Sequence, residues 1–161
     1  MKQQITPFLW FDREAEEAAQ FYSSVFRNSK VNARTYYGET GSGPKGSLMT
    51  VSFELNGQTF VALNGGPNFK FTEAISLFVN CETQEEVDEL WEKLSAGGEK
   101  SRCGWLKDKY GLSWQIIPKA LGQLMSDPDP KKSQAVIEAM LKMNKIVIKD
   151  LQDAYQGTTA A

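Results

Sequence analysis

The pattern that most constrains this chain occurs twice. Shifting the sequence by about 70 residues lays the apolar run Ile5–Phe11 near Ser76–Cys81, and a first amphipathic helix on a second. In the first copy, ITPFLWF is an aromatic run of strand length, and Asp12 is placed to cap a helix from Arg13 to about Phe26. Ala15, Ala18, Ala19, Tyr22, Val25 and Phe26 fall on one face of it. Glu14, Glu16 and Glu17 occupy its first turns, where the positive end of the helix dipole favours acids. Strands are expected at Val31–Tyr37, Ser47–Leu55 and Gln58–Leu63, the last two joined by the hairpin dipeptide Asn56–Gly57. Between them, Gly38–Gly46 lacks the GK[ST] ending of a phosphate loop and reads as a lid or surface loop.

The second copy repeats the order. A strand over Ala74–Asn80 precedes a capping box of Thr83 and Glu86 and the helical stripe Val87, Leu90, Trp91 and Leu94, which Gly97–Gly98 ends. Further strands follow in CGWLKDKYGLSWQIIP (Cys103–Pro118), a β-hairpin turning at Asp108–Gly111. Hairpin-linked strands run antiparallel, which excludes a parallel doubly wound sheet. The expected fold is α+β: duplicated βαβββ modules, about 1–66 and 72–118, forming cupped mixed sheets around a cleft within a domain of residues 1–118. After Pro118, helical patterns at Leu121–Met125, Lys132–Met143 and Lys149–Tyr155 predict a helical C-terminal extension over 119–161, packed on its own domain or on a dimer partner.

Composition narrows the chemistry. The 161 residues include no histidine, which removes histidine bases, Ser-His and Cys-His pairs and every histidine-containing metal triad. Two cysteines cannot make a four-cysteine zinc site, and with a polar N-terminus they point to reduced thiols in a cytosol. A net charge of −2 without a basic face argues against nucleic acid, and no run of membrane-spanning length occurs.

Within the hairpin, Leu112, Trp114 and Ile116 alternate with Ser113, Gln115 and Ile117, so one face is apolar and the other carries an amide that needs a partner or a cavity. Trp10, Phe69, Trp105 and Trp114, with Phe71, are candidates for an aromatic ligand-binding wall. Gln115 and Asn64 are its candidate polar anchors, although Asn64 also suits a capping role at the NGGP turn. Cys103 is a candidate thiol at the ligand or an inert buried one, and Asp108 suits a turn role.

The stretches TPFLWFD, the FY of the first helix, GQTFVALNGGPNFKF and CGWLKDKYGLSWQIIP, with the duplicated unit, resemble the vicinal oxygen chelate superfamily of glyoxalase I, extradiol dioxygenases and bleomycin-resistance proteins. They are similar in particular to its PhnB-like branch, often labelled 3-demethylubiquinone-9 3-methyltransferase. The resemblance implies four metal-ligand positions, falling at Ile5 or Pro7, Asn64 or Ala62, Ala74 or Ser76, and Gln115. Only Gln115 and Asn64 among these could touch a metal, and two neutral amides make a poor transition-metal site. The resulting expectation is a cytosolic homodimer that binds a small apolar or aromatic molecule, with no metal, no cofactor and no catalytic residue. The alternatives are an enzyme of the superfamily (an isomerase or lyase, or a thiol-dependent transferase using Cys103, including the methyltransferase label) and a purely structural dimer.

Overall fold

The computed structural model describes residues 2–157. They fall into two compact units, one up to Phe71 and one from Thr72 onward, each built on its own four-stranded mixed sheet. The first unit contains β1 (Phe8–Phe11), α1 (Ala15–Val25), β2 (Lys30–Tyr36), β3 (Leu48–Leu55) and β4 (Gln58–Asn64), with strand order β1-β4-β3-β2. β1 runs parallel to β4 and the other pairs are antiparallel. The first strand starts later than the apolar run suggests, because pairing begins at Phe8 opposite Val61 and Ile5 is exposed.

Alternation along the strands divides the residues as a half-buried sheet requires. Leu9, Phe11, Val51, Phe53, Phe60 and Ala62 are buried, as are Ala15, Ala18, Ala19 and Tyr22 of α1. The small alanines let the helix approach closely, and Tyr22 stacks on Phe53, which stacks on Phe60. Asn56 and Gly57 have φ of 49° and 83°, the left-handed pair of a type I′ hairpin.

The start of α1 corrects the expected Asp12 cap. Its N-cap is Glu14, whose side chain makes no capping bond. The Ala15 N–H instead donates to Asn64 Oδ1 at 2.8 Å, so the end of β4 caps a helix 49 positions earlier in the chain.

The second unit contains β5 (Ser76–Cys81), α2 (Gln84–Ser95), β6 (Glu99–Lys100), β7 (Trp105–Lys107) and β8 (Ser113–Pro118), in the order β5-β8-β7-β6. The duplication therefore extends to strand pairing, with β5 parallel to β8 as β1 is to β4. Thr83 Oγ1 accepts from the Glu86 N–H at 3.2 Å, while the Glu86 carboxylate reaches back to the Glu82 N–H at 2.7 Å. That is the expected capping box, closed one residue early.

Three helices follow: α3 (Lys119–Met125), α4 (Pro130–Leu141) and α5 (Ile148–Gln156). The expected extension ran to residue 161, and residues 158–161 lie outside the described ones. Leu121, Val136, Ile146 and Leu151 of the extension form one core with Ile117 of β8. Gln84, at the start of α2, donates through Nε2 to the Ile146 carbonyl at 3.0 Å and accepts from the Ile148 N–H at 2.7 Å. Cys103 and Gly104 both adopt positive φ, and their N–H groups donate to the Met143 and Asn144 carbonyls. A Cβ on Gly104 would sit 2.9 Å from the Ile116 carbonyl oxygen, so the backbone needs glycine there. Among the described residues, no helix is long and apolar enough to cross a membrane.

Replacing Gln84 with alanine removes both bonds to the segment entering α5. Loss of stability should be about 1–3 kcal/mol, since an orphaned buried partner costs more than a bond contributes. Hydrogen exchange should speed up first at Ile148 and along α5, leaving α1 protected. Uniform acceleration in both units would contradict this docking.

Candidate functional site

The two-residue period of β8 decides which side chains are presented and which are packed away. Trp114 and Ile116 lie on the side of α2, and Trp114 is 2% exposed with its Nε1–H donating to Asp108 Oδ2 at 2.9 Å. Ser113, Gln115 and Ile117 share the opposite face. In register with them on β5 are Ser76, Phe78 and Asn80, and on β7 Lys107 and Trp105 stand opposite Ser113 and Gln115. This face grades from hydroxyl and charged groups at its Ser113 end to aromatic and aliphatic groups toward Ile117.

A cavity of about 610 Å³ lies over the apolar end. Phe78, Trp105, Gln115 and Ile117 line it from the strands, and Met125 and Met140 line it from α3 and α4. Gln115 Nε2 donates to Ser76 Oγ at 2.9 Å, and its Oε1 accepts no bond from the described residues. The amide is thus held through its nitrogen alone. Cys103 also lines the cavity, half-buried, with its thiol 3.6 Å from the Met140 carbonyl.

The sequence-derived candidates separate into three groups. Cys103, Trp105 and Gln115 converge on the cavity, while Trp114 faces the helix side and is not among its lining residues. Trp10, Asn64 and Phe69 belong to the first unit. The Trp10 indole donates to the Gly66 carbonyl at 2.8 Å, packs over Gly65 and meets Phe69 edge-on at 4.9 Å. Asn64 spends its side chain on α1 and on the Leu48 carbonyl, and its own carbonyl accepts from the Tyr37 hydroxyl at 2.6 Å. It borders a separate cavity of about 400 Å³ beneath the loop 38–46.

Phe78, Met125 and Met140 were not among the candidates. The alternation of Ser76–Cys81 could have exposed Phe78, which faces the same way as its partner Gln115. No local signal identifies the two methionines as pocket residues, because that depends on how the extension folds back.

The positions where superfamily relatives place metal ligands do not fit a transition metal. Ile5, Pro7, Ala62 and Ala74 carry no donor side chain, and Ala62 is fully buried in the helix-facing layer. Ser76 and Gln115 offer two neutral oxygens without a carboxylate or imidazole. Among the described residues, no three His, Cys, Asp or Glu side chains converge. The acidic first turn of α1 has another use: the Arg34 guanidinium, bonded to Glu16 at 2.5 and 2.9 Å, holds the Glu16 carboxyl below its ordinary range.

Two βαβββ units of identical strand order define an α+β glyoxalase-fold protein. The family model described as 3-demethylubiquinone-9 3-methyltransferase matches residues 3–117. A PhnB protein from Bacillus cereus is 41% identical, covering 72% of this chain and 99% of its own, with a TM-score of 0.66. The chain belongs to this family, in the PhnB-like branch of the vicinal oxygen chelate superfamily. Protein PA1353 from Pseudomonas aeruginosa shares the fold at 19% identity and TM-score 0.61, over 73% of this chain and 98% of its own. The fosfomycin resistance protein FosX from Listeria monocytogenes does so at 15% and 0.50, over 73% and 93%. No curated protein matches the sequence.

The two thiols should behave differently. Burial, reinforced by nearby Glu86, pushes the Cys81 thiol up to about 12, while Cys103 lies at the cavity wall. At pH 8 an aromatic disulfide reagent should titrate one thiol in the native protein and two in denaturant, with Cys103→Ser removing the native signal. The folded-state pKa of Cys81 lies above its ordinary value of 9.0, so its contribution to stability is intact below that pH. It is lost as the pH climbs from 9.0 toward about 12, and Cys81→Ala should flatten that part of the stability curve.

Proposed function

We propose that this protein is a metal-independent binder of a small, mainly apolar or aromatic molecule, held in the cavity over β5, β8 and β7 of its second unit. One observation carries the reading: a cavity of about 610 Å³ lined by Phe78, Trp105, Ile117, Met125 and Met140, with the Gln115 amide held through its nitrogen by Ser76 and its oxygen accepting no bond from the described residues. Apolar lining with a few placed polar groups is the usual make-up of a small-molecule site. The methionines suit ligands of irregular shape.

The methyl-transfer label of the family draws little support from the geometry. Cofactor phosphates and riboses are commonly held where a strand turns through glycines into a helix. Here β1, β5 and β8 enter α1, α2 and α3 through Asp12–Glu14, Glu82–Thr83 and Pro118, with no glycine at any junction. A homodimer in a reducing compartment completes the reading. It is supported by exposed Ile5, Phe8, Tyr36 and Ile75, which a second copy would cover, and by two unpaired cysteines.

Gly122 of α3 offers a clean test, because it lines the cavity and a Cβ there meets nothing within 4 Å. Gly122→Leu should fill the cavity without loss of stability and weaken naphthalene binding at least about ten-fold by calorimetry, whereas Gly122→Ala should bind nearly as wild type. Native mass spectrometry should show a dimer carrying a co-purified molecule. Titration with zinc, nickel or manganese should give no stoichiometric site, and a sub-micromolar one lost in Gln115→Ala would sink the metal-independent reading. The absence of both a co-purified molecule and saturable naphthalene binding would overturn the binding reading.

A further inference from the structure

A second cavity on the same face has no part in that reading. It measures about 130 Å³ and is lined by Glu73, Glu99, Ser101, Trp105, Lys107 and Ser113, with Leu106 behind them. Ser113 is 0% exposed, and its Oγ has no hydrogen-bond partner. Buried hydroxyls are almost always paired, because leaving one unpaired forfeits its bonds to water. A serine kept unpaired at a cavity wall therefore calls for a group that enters the cavity.

The surroundings state which group. Lys107 is ion-paired with Glu73, so its ammonium is already engaged. Glu99 adds a second carboxylate to the lining, leaving it with a net negative charge. Two acceptors and a hydroxyl favour an incoming O–H or N–H donor and oppose an anion. Trp105 lines both cavities. Ser113 and Gln115 lie two residues apart on one face of β8, which places them about 7 Å from each other along the strand.

We propose that the two cavities are the ends of one elongated site, whose ligand is an amphiphile: an apolar body over Phe78 and Gln115, and a hydroxyl or ammonium head passing Trp105 to bond with Ser113. The proposal rests on the cavity reading above and adds the class of ligand. Ser113 then donates to or accepts from the head, Glu99 accepts a second bond, and Gln115 Oε1 serves the middle of the molecule.

Calorimetry with four probes tests it on the intact chain: naphthalene, 2-(2-naphthyl)ethanol, 2-(2-naphthyl)ethylamine and 2-naphthylacetate. The alcohol and the amine should bind about ten-fold more tightly than the acetate, a difference of roughly 1.4 kcal/mol. Ser113→Ala should bring the alcohol to the affinity of naphthalene while naphthalene itself is unchanged, and its Tm should equal or exceed that of the wild type. Glu99→Gln, on the surface-exposed β6, should weaken the amine and relieve the acetate. Naphthalene binding with equal affinity for alcohol, amine and acetate would overturn the head-group site and leave the cavity standing. So would an alcohol affinity untouched by Ser113→Ala. Failure of every probe, naphthalene included, would bring down both.

Discussion

Asp108 is 2% exposed, and its carboxylate accepts from the Tyr110 and Leu112 N–H groups at 2.9 and 3.1 Å and from the Trp114 indole at 2.9 Å. A carboxylate taken out of water is costly unless its lone pairs are filled, and here the turn it closes supplies the donors. The Asp108 N–H in turn donates to the Leu112 carbonyl, and Gly111, at φ 86°, lets the chain reverse. This arrangement fixes which way β8 faces. With Trp114 tethered on the side of α2, Gln115 must project from the other side. A slip of one residue would exchange the two faces, burying the amide and presenting the indole. The site face of the second unit is thus set by a residue that is not part of it.

What was legible in the sequence follows a physical division. Features that depend on neighbouring residues were readable: Asn56–Gly57 because only left-handed backbone closes that hairpin, and Thr83 with Glu86 because both ends of the cap lie within one turn. The duplication was readable because a period needs no knowledge of contacts. The element that Asn64 caps was not readable, for the opposite reason. The partner of Asn64 is the Ala15 N–H, and nothing local reveals that β1 runs parallel to β4 and brings α1 to that point. Trp114 was grouped with the ligand-facing aromatics although its own alternation with Gln115 already placed it on the other face. β6, two charged residues long, has no hydrophobic pattern and exists through pairing with β7 alone.

The extension changes what the second sheet can do. The family match ends at residue 117, and the Bacillus cereus relative is spanned almost entirely by 72% of this chain. Residues beyond Pro118 contribute Leu121, Gly122, Met125 and Met140 to the larger cavity. Their attachment is specific: Gln84 bonds the backbone on both sides of Val147, and Cys103 and Gly104 turn their N–H groups out to α4's trailing loop. The CG dipeptide that began as a candidate reactive thiol is also a backbone latch. Its left-handed conformation is a local strain offset by two hydrogen bonds and the Ile146 contact. A wall held this way gives an otherwise open sheet face a bounded volume.

Bounding the volume matters because of what the face lacks. A metal in such a fold discriminates ligands by coordination, and Ser76 with Gln115 cannot hold one. For the proposed ligand, selectivity then falls to hydrogen bonds and shape, which are weak where water competes for every polar group. An apolar pocket tells ligands apart poorly when they differ by one methylene, whereas a buried hydroxyl or amide left unpaired penalises any ligand that fails to satisfy it. Ser113 Oγ is such a group, and the half-buried Gln115 amide shares its strand face, opposite Trp105. In the proposed binding site, a ligand that fails to satisfy Ser113 Oγ meets that penalty, and discrimination rests there rather than on coordination.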